Sequence, residues 1–197
     1  MTRGWQFTFW SWVAVGLVAV SGLMPATAQD SLNRQGYFDV RSASTTVEEG
    51  VLYLDARLQL VLSEQALAAL DNGVPLTIEL MLEVIRERRF IPDPADAELS
   101  LRYELEYRPL SQRYIVSNLN SGDQDSFATL YSALNNLGRI QDLPVLDLSI
   151  LDSEADYRLR LQALLSTRQY PAPLRLLFFW RDEWQLKSEW FEWSLER

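Results

Sequence analysis

Apolar and polar residues alternate along several stretches of the chain. The clearest stretch runs from Val74 to Phe90, and its apolar side chains occupy even positions: Val74, Leu76, Ile78, Leu80, Leu82 and Val84. The stretch from Val51 to Leu60 alternates in the same way and follows another predicted strand, Tyr37 to Val47. Because successive side chains of a strand point to opposite faces, this period of two predicts strands that bury one face.

Three consecutive strands are predicted to form a meander. After the strand that ends at Phe90, the chain turns at Pro92-Asp93-Pro94. The next strand carries five large apolar or aromatic residues on one face: Leu99, Leu101, Tyr103, Leu105 and Tyr107. Arg108-Pro109 marks a further turn before a shorter strand, Arg113 to Leu119. Short turns of this kind favour antiparallel pairing of neighbouring strands.

Two short amphipathic helices are predicted between the strands. Ser63 is expected to cap the first helix, because its hydroxyl can accept a hydrogen bond from the first turn, and Asn72-Gly73 ends it. Asp125 or Ser126 is expected to cap the second, which closes at Gly138. The apolar residues of the second helix recur at spacings of three and four: Phe127, Leu130, Tyr131, Leu134 and Leu137.

The last third of the chain is predicted to be mostly extended. Val145 to Leu151 is expected to be a strand, Asp156 to Leu165 fits a strand or a helix, and the aromatic tail from Leu174 to Leu195 is expected to end in a strand. Many strands with two short amphipathic helices predict an α+β fold that is mainly antiparallel β. The sequence leaves open whether the strands form a sandwich or one strongly curved sheet.

The first 28 residues have the features of a cleavable secretory signal peptide. Arg3 precedes a short apolar run, and the small residues Ala26-Thr27-Ala28 predict cleavage between Ala28 and Gln29. The alternative is an uncleaved membrane anchor, although the run is shorter than the roughly 20 residues that a transmembrane helix needs. We therefore expect a periplasmic or secreted protein with no membrane span after cleavage, and a single β-rich domain at residues 29–197.

Composition restricts the chemistry of this domain. The chain has a net charge of −9, which disfavours nucleic acid and anionic lipid surfaces as partners. It has no cysteine and no histidine, so disulfides, Ser-His and Cys-His catalysis, and zinc sites built from these residues are excluded. Pairs of carboxylates remain as the only catalytic chemistry with enough residues to support it.

Neither a cofactor nor a metal is predicted. The sequence contains no glycine-rich phosphate loop or dinucleotide fingerprint. Asp123-Gln-Asp125 begins like a calcium loop, but Ala128 and Leu134 occupy the positions where such a loop needs glycine and glutamate. The acid-rich stretch from Asp147 to Asp156 has no defined ligand spacing and is interpreted as strand edge and turn.

The whole mature region resembles a known family. The resemblance rests on Asn72-Gly-Val-Pro-Leu76, Arg86 with Arg89, Tyr107 through Leu110 to Arg113-Tyr114, Leu137-Gly138, Leu143-Pro144, Pro171 with Pro173-Leu174, and the closing Trp184-x-Leu186-x-Ser188-x-Trp190-x-x-Trp193. This pattern is similar to an uncharacterised family of exported proteobacterial proteins, a domain of unknown function. The resemblance implies a small periplasmic or secreted domain and brings no known activity.

Arg86 and Arg88 are the first candidate binding residues. They continue the even-numbered apolar column of the strand that begins at Val74, so both are expected on the buried face. With a turn at residues 92–97, antiparallel pairing would bring Arg86 near Tyr103 and Arg88 near Leu101. Guanidinium groups beside aromatic rings suit an anionic headgroup or a partner's carboxylate. The alternative is that both side chains lie along the sheet edge, with their stems on apolar surface and their charges over a tyrosine face or near Asp93 or Asp96.

Tryptophans of the C-terminal tail are the second candidate set. Trp184, Trp190 and Trp193 can stack on sugar rings or on a lipid headgroup. Interspersed leucines such as Leu186 and Leu195 favour the simpler interpretation that the tryptophans pack in the core.

These features predict an exported, non-enzymatic binding or accessory domain of the bacterial cell envelope. Its partner is expected to be another envelope protein or a small amphipathic ligand. The alternative is a carboxylate-based hydrolase that acts on envelope carbohydrates, and a structural domain without a ligand is the third hypothesis. A binding domain predicts an apolar surface pocket with few convergent acids, whereas a hydrolase predicts two facing carboxylates in a cleft.

Overall fold

The computed structural model describes residues 35–87, 95–166 and 186–196, all within one compact unit, Asn33–Arg197. In these residues there are nine strands and two α-helices. The strands are β1 (Tyr37–Glu48), β2 (Val51–Val61), β3 (Leu76–Arg86), β4 (Ala95–Arg108), β5 (Arg113–Asn118), β6 (Gln124–Phe127), β7 (Arg139–Asp147), β8 (Tyr157–Ser166) and β9 (Phe191–Ser194). The helices are α1 (Glu64–Asp71) and α2 (Leu130–Leu137).

The strands form two antiparallel sheets. The first has the order β1-β2-β7, and the second has the order β6-β5-β4-β3-β8-β9. The sheets pack face to face, since β1 contacts β8 and β9 and the buried apolar residues of both sheets form one core. The predicted α+β class is therefore confirmed, and the two sheets make it a sandwich.

The strand β3 lies at the centre of the larger sheet, between β4 and β8. Its even-numbered apolar side chains are buried in the core, as the alternation predicts. At the start of the strand, however, the opposite face is buried as well, because only 2% of Thr77 and 3% of Glu79 are exposed. This polar side of β3 is where the structure departs from a strand with a single buried face.

The predicted meander β3-β4-β5 is confirmed, but the predicted register of its first hairpin is wrong. Tyr103 lies opposite Ile78 and Leu101 lies opposite Leu80, rather than opposite Arg86 and Arg88. The error comes from the turn: Ala95 and the residues after it are already paired in β4, so the chain reverses earlier than a turn at residues 92–97 would allow. A register irregularity between Val84 and Ile85 shifts the pairing further.

Both helices are present, and one cap differs from the prediction. The Ser63 hydroxyl accepts a hydrogen bond from the backbone N–H of Ala66 at 3.3 Å, as expected of an N-cap. The second helix is capped by Thr129 instead of Asp125 or Ser126. Those two residues belong to β6, where pairing with β5 satisfies their backbone. No helix in the described residues is long and apolar enough to cross a membrane.

The second half of the chain completes both sheets. The strand predicted at Val145 to Leu151 begins earlier, as β7, and ends at Asp147, where a short 3-10 helix (Leu148–Ile150) follows. Pairing of β7 with β2 favours this earlier start. The ambiguous stretch after Asp156 is the strand β8, and the tail ends in β9, as predicted. The rest of the aromatic tail, residues 174–185, lies outside the described residues.

Candidate functional site

Arg86, the first predicted site residue, lies at the end of β3 and pairs with an aspartate. Its Nη2 atom is 2.6 Å from Oδ2 of Asp152, in the connection between the 3-10 helix and β8. The aspartate is neither of the acidic residues considered in the sequence, but the role is the one expected of a side chain that finishes a sheet edge. Arg88 lies outside the described residues.

A hydrogen-bond network surrounds this ion pair. The backbone N–H of Asp152 donates to the Tyr157 hydroxyl at 3.1 Å, and that hydroxyl donates to Oδ2 of Asp96 at 3.3 Å. Tyr103 lies elsewhere, because it faces Ile78 near the other end of β3, where burial raises the pKa of its phenol. The structure therefore does not bring Arg86 and Tyr103 together as one site.

The predicted tryptophans are also separated. Trp193 pairs with Leu159 and packs against the core, and its Nε1–H donates to the hydroxyl of Thr45 at 3.3 Å. Trp190 instead lies over the guanidinium of Arg160, with Cζ 4.4 Å from the ring centroid. Trp184 and the predicted cleavage residues Ala28 and Gln29 lie outside the described residues. Because Trp190 and Trp193 make unrelated contacts, they do not form one stacking platform.

An ion-pair row crosses the outer face of the larger sheet. Arg160 forms an ion pair with Glu83: its Nη2 atom is 2.6 Å from Oε2 of Glu83, and its Nε–H donates a hydrogen bond to the same oxygen at 2.8 Å. Beside this pair, Arg158 lies 3.5 Å from Glu192. Each of these charged groups has an oppositely charged partner within the row, and Trp190 covers the Arg160 guanidinium. The row is consistent with a structural role for the charges at this end of the sheet.

Farther along the same outer face is a polar pocket of about 430 Å³. Its described lining residues come from β3, β4, β8 and the turn after β5: Thr77, Glu79, Glu98, Ser100, Arg102, Asn120 and Ser166. Strand pairing places Glu79 opposite Arg102, and Thr77 opposite Ser166. All of these side chains are polar or charged, so the pocket is suited to hydrogen bonding and ion pairing more than to apolar contact.

One wall of the pocket is held in place by Asn120. Its Oδ1 accepts a hydrogen bond from the backbone N–H of Arg102 at 2.8 Å, and its Nδ2 donates to the carbonyl of Ser100 at 2.9 Å. The side chain thus bonds to β4 just beyond the last residue of β5, Asn118, as a further strand residue would do. This arrangement fixes the turn against β4 and positions the backbone that carries Ser100 and Arg102.

The hydrogen-bonding groups of the pocket are unequally satisfied. The Ser100 hydroxyl donates to Oε1 of Glu79 at 2.8 Å. In contrast, the hydroxyl of Thr77 is buried and has no hydrogen-bond partner among the described residues. The described residues likewise provide no ion pair for the side chains of Arg102 and Glu98, which are both exposed.

This pocket was not predicted from the sequence, because the alternation in β3 predicts a strand with a single buried face. Thr77 and Glu79 occupy the odd, polar positions of that strand, and Asn120 follows the predicted strand Arg113 to Leu119. The available signal was the run of polar even-numbered residues on β4, Glu98, Ser100 and Arg102, but only the correct register places them beside β3. Among the described residues, no group of three acidic side chains is arranged to hold a metal ion.

The fold and the pocket define an α+β sandwich with a polar cavity on the outer face of its larger sheet. The family model that matches residues 36–194 is described as "Domain of unknown function (DUF4390)", and the chain belongs to this family. The match runs from residue 36 to the last residue of β9, so it includes all the described residues that line the pocket. No curated protein and no solved structure matches the chain.

Proposed function

We propose that the protein is an exported, non-enzymatic ligand-binding domain of the bacterial cell envelope, and that the polar pocket is its binding site. The observation that carries the proposal is the Thr77 hydroxyl, which lines the pocket, is only 2% exposed and has no partner among the described residues. Burying such a group unsatisfied costs about 1–3 kcal/mol. The oxygen itself is buried, so the Thr77 side chain would have to rotate toward the pocket for a polar atom of a bound ligand to satisfy it.

The lining of the pocket revises the kind of ligand. The sequence predicts an apolar pocket if the domain binds a small amphipathic ligand, whereas the described lining combines carboxylates, a guanidinium, hydroxyls and an amide. A volume of about 430 Å³ is within the range of pockets that hold small molecules, about 300–1,000 Å³. We therefore propose a small polar ligand instead of an amphipathic one.

The proposal of export rests on the N-terminal segment. Cleavage between Ala28 and Gln29 would remove the apolar run and leave the matched domain, residues 36–194, whole. The intact mass of the protein from the periplasmic fraction tests this step. We expect the mass of residues 29–197, and a mass that still includes Met1 to Ala28 would contradict it.

A carboxylate hydrolase is the second candidate, because Glu79 and Glu98 both line the pocket. Glu79 lies opposite Arg102, four residues along β4 from Glu98, so the two glutamate backbones are about 14 Å apart. The carboxyl groups of glycosidases are about 5–10 Å apart, so both side chains would have to lean toward each other. The Glu79 carboxylate is also held by Ser100, which suits a fixed hydrogen-bond acceptor.

The test of ligand binding uses the full chain, isotopically labelled and purified from the periplasmic fraction. Adding the small-molecule fraction of a periplasmic extract should shift backbone NMR signals around the pocket. Thr77→Val should reduce these shifts, while the control Thr46→Val, at an exposed position of β1, should retain them. Shifts confined to other parts of the domain, or an unaltered response of Thr77→Val, would contradict the proposal.

A further inference from the structure

We infer that the ligand of this pocket is an elongated zwitterion with the dimensions of a short extended peptide with free termini. Its anionic group would lie at Arg102 and its cationic group at Glu98, with the molecule running along β4. The inference rests on the proposed function of the pocket and goes beyond it by naming the class of ligand.

Two opposite charges on β4 are separated by a distance that suits a short peptide. Glu98 and Arg102 both line the pocket, and since they are four residues apart on β4 they project from the same face. Their backbones are therefore about 14 Å apart. An extended tripeptide spans about 10 Å between its ends, which leaves room for both side chains to contact the terminal charges.

Glu98 and Arg102 have no ion-pair partner among the described residues, whereas neighbouring charges do. Glu98 lies opposite Glu83 across the β3–β4 pair, and Arg160 already neutralises Glu83 from the other side. Like charges placed directly opposite each other in a sheet destabilise the pair. The Glu98 carboxylate therefore receives no electrostatic stabilisation from Glu83. A ligand ammonium group would give Glu98 the counter-charge that Arg160 gives to Glu83.

Arg102 could provide the positive charge that binds the other end of the ligand. Its backbone is fixed by Asn120, while no carboxylate of the described residues forms an ion pair with its guanidinium. Glu79, which lies opposite, accepts a hydrogen bond from Ser100. A guanidinium whose backbone is fixed and which has no ion pair with a described residue suits two parallel hydrogen bonds to a ligand carboxylate.

The hydroxyl between the two charges suits the middle of a peptide. Ser100 lies midway between Glu98 and Arg102, and its oxygen retains lone pairs after the hydroxyl donates to Glu79. Thr77 lies opposite Glu104, beyond Arg102, and is therefore outside this span. An uncharged amide between two charged termini could donate to the Ser100 oxygen, whereas a purely apolar spacer could not.

Isothermal titration calorimetry at low salt tests the inference, with the full chain purified from the periplasmic fraction and trialanine as the probe. We expect trialanine to bind at least tenfold more tightly than its N-acetylated or C-amidated forms, since each blocked end removes a hydrogen-bonded charge. Arg102→Gln should abolish the preference for the free carboxyl end only. Glu98→Gln should abolish the preference for the free amino end only.

Matched controls separate the inference from general charge effects. Arg139→Gln on β7 and Glu48→Gln on β1 make the same changes of charge at exposed positions of the smaller sheet, and both should bind trialanine like the unaltered chain. Thermal melting of each variant verifies that it is folded. Equal binding of the blocked and free peptides, equal effects of the controls, or absence of trialanine binding would overturn the inference.

The proposed function can fail independently of this inference. If a periplasmic extract shifts the NMR signals of the pocket while trialanine does not bind, the pocket is a ligand site and the zwitterion assignment is wrong. If neither the extract nor trialanine affects the pocket signals, both the proposed function and the inference fail.

Discussion

The two faces of β3 differ in what they bury and in how their groups are satisfied. Toward the smaller sheet, Leu80 and its even-numbered neighbours pack in an apolar core. On the outer face, Thr77, Glu79 and Glu83 lie opposite polar residues of β4, and Thr77 and Glu83 also lie opposite polar residues of β8. The inner face needs only apolar residues of suitable size, whereas the outer face depends on particular pairs of polar groups. An amphipathic strand can therefore provide apolar packing on one face and specific polar contacts on the other.

The outer face itself has two unequal ends. At one end, Glu83 and Arg160 neutralise each other under Trp190. At the other, Arg102 lines the pocket without an ion pair among the described residues. If the outer face were only solvated surface, we would not expect the charges to be paired at one end and unpaired among the described residues at the other. We therefore expect substitutions to affect stability at the first end and binding at the second.

The largest expected effect concerns the core side of β3. Leu80 is 1% exposed, and Leu80→Ala should lower the free energy of unfolding by about 2–5 kcal/mol, because it removes buried methyl groups and leaves a cavity. The neighbouring Met81→Ala, on the half-buried outer face, should cost about 1 kcal/mol. Urea unfolding followed by circular dichroism measures both. Equal losses for the two variants would break the distinction between the faces.

The next effect distinguishes the two ends of the outer face. Glu83→Gln removes the charge that pairs with Arg160 and accepts a hydrogen bond from its Nε–H, and it should cost about 1–2 kcal/mol of stability. The matched change Glu98→Gln, directly opposite on β4, should cost nothing measurable and relieves a like-charge contact. The same urea titrations compare the two, and a loss for Glu98→Gln as large as that for Glu83→Gln would contradict the comparison.

Most of the architecture could be predicted from local pattern. The alternation of β2 and β3, the meander and both helices are confirmed, because period and caps are properties of a few neighbouring residues. The register of β3 against β4 could not be predicted in the same way. It depends on where Ala95 joins the sheet and on the irregularity after Val84, and neither leaves a distinct trace in the sequence.

The pocket could not be predicted, since it depends on that register. The prediction that Arg86 lies beside Tyr103 rested on a register that the structure does not have, and Arg86 forms an ion pair with Asp152 instead. The residues that do line the pocket were each unremarkable in isolation. Thr77 became a candidate only when its burial and its lack of a partner among the described residues were both visible.

A smaller effect should distinguish a satisfied hydroxyl from an unsatisfied one. Thr77→Val keeps the shape of the side chain and removes a hydroxyl without a partner in the described residues, so stability should be unchanged or should rise by up to about 1 kcal/mol. Thr45→Val is the matched change at a hydroxyl that accepts from Trp193, and it should lower stability by about 1 kcal/mol. A loss for Thr77→Val as large as that for Thr45→Val would mean that the Thr77 hydroxyl is already satisfied.

The smallest effect should appear only in alkaline solution, on the core side of β4. Burial raises the pKa of Tyr103 above its ordinary value of 10.0, because the sandwich disfavours the phenolate. The folded state therefore holds this proton more firmly than the unfolded state, so the stability contributed by Tyr103 is complete well below pH 10 and declines as the pH rises from 10 toward the folded pKa. Tyr103→Phe should leave stability near neutral pH almost unchanged and make the decline above pH 10 shallower, as measured by urea unfolding at a series of pH values. An equally steep decline in Tyr103→Phe would show that the ionisation of this buried phenol does not destabilise the packed face.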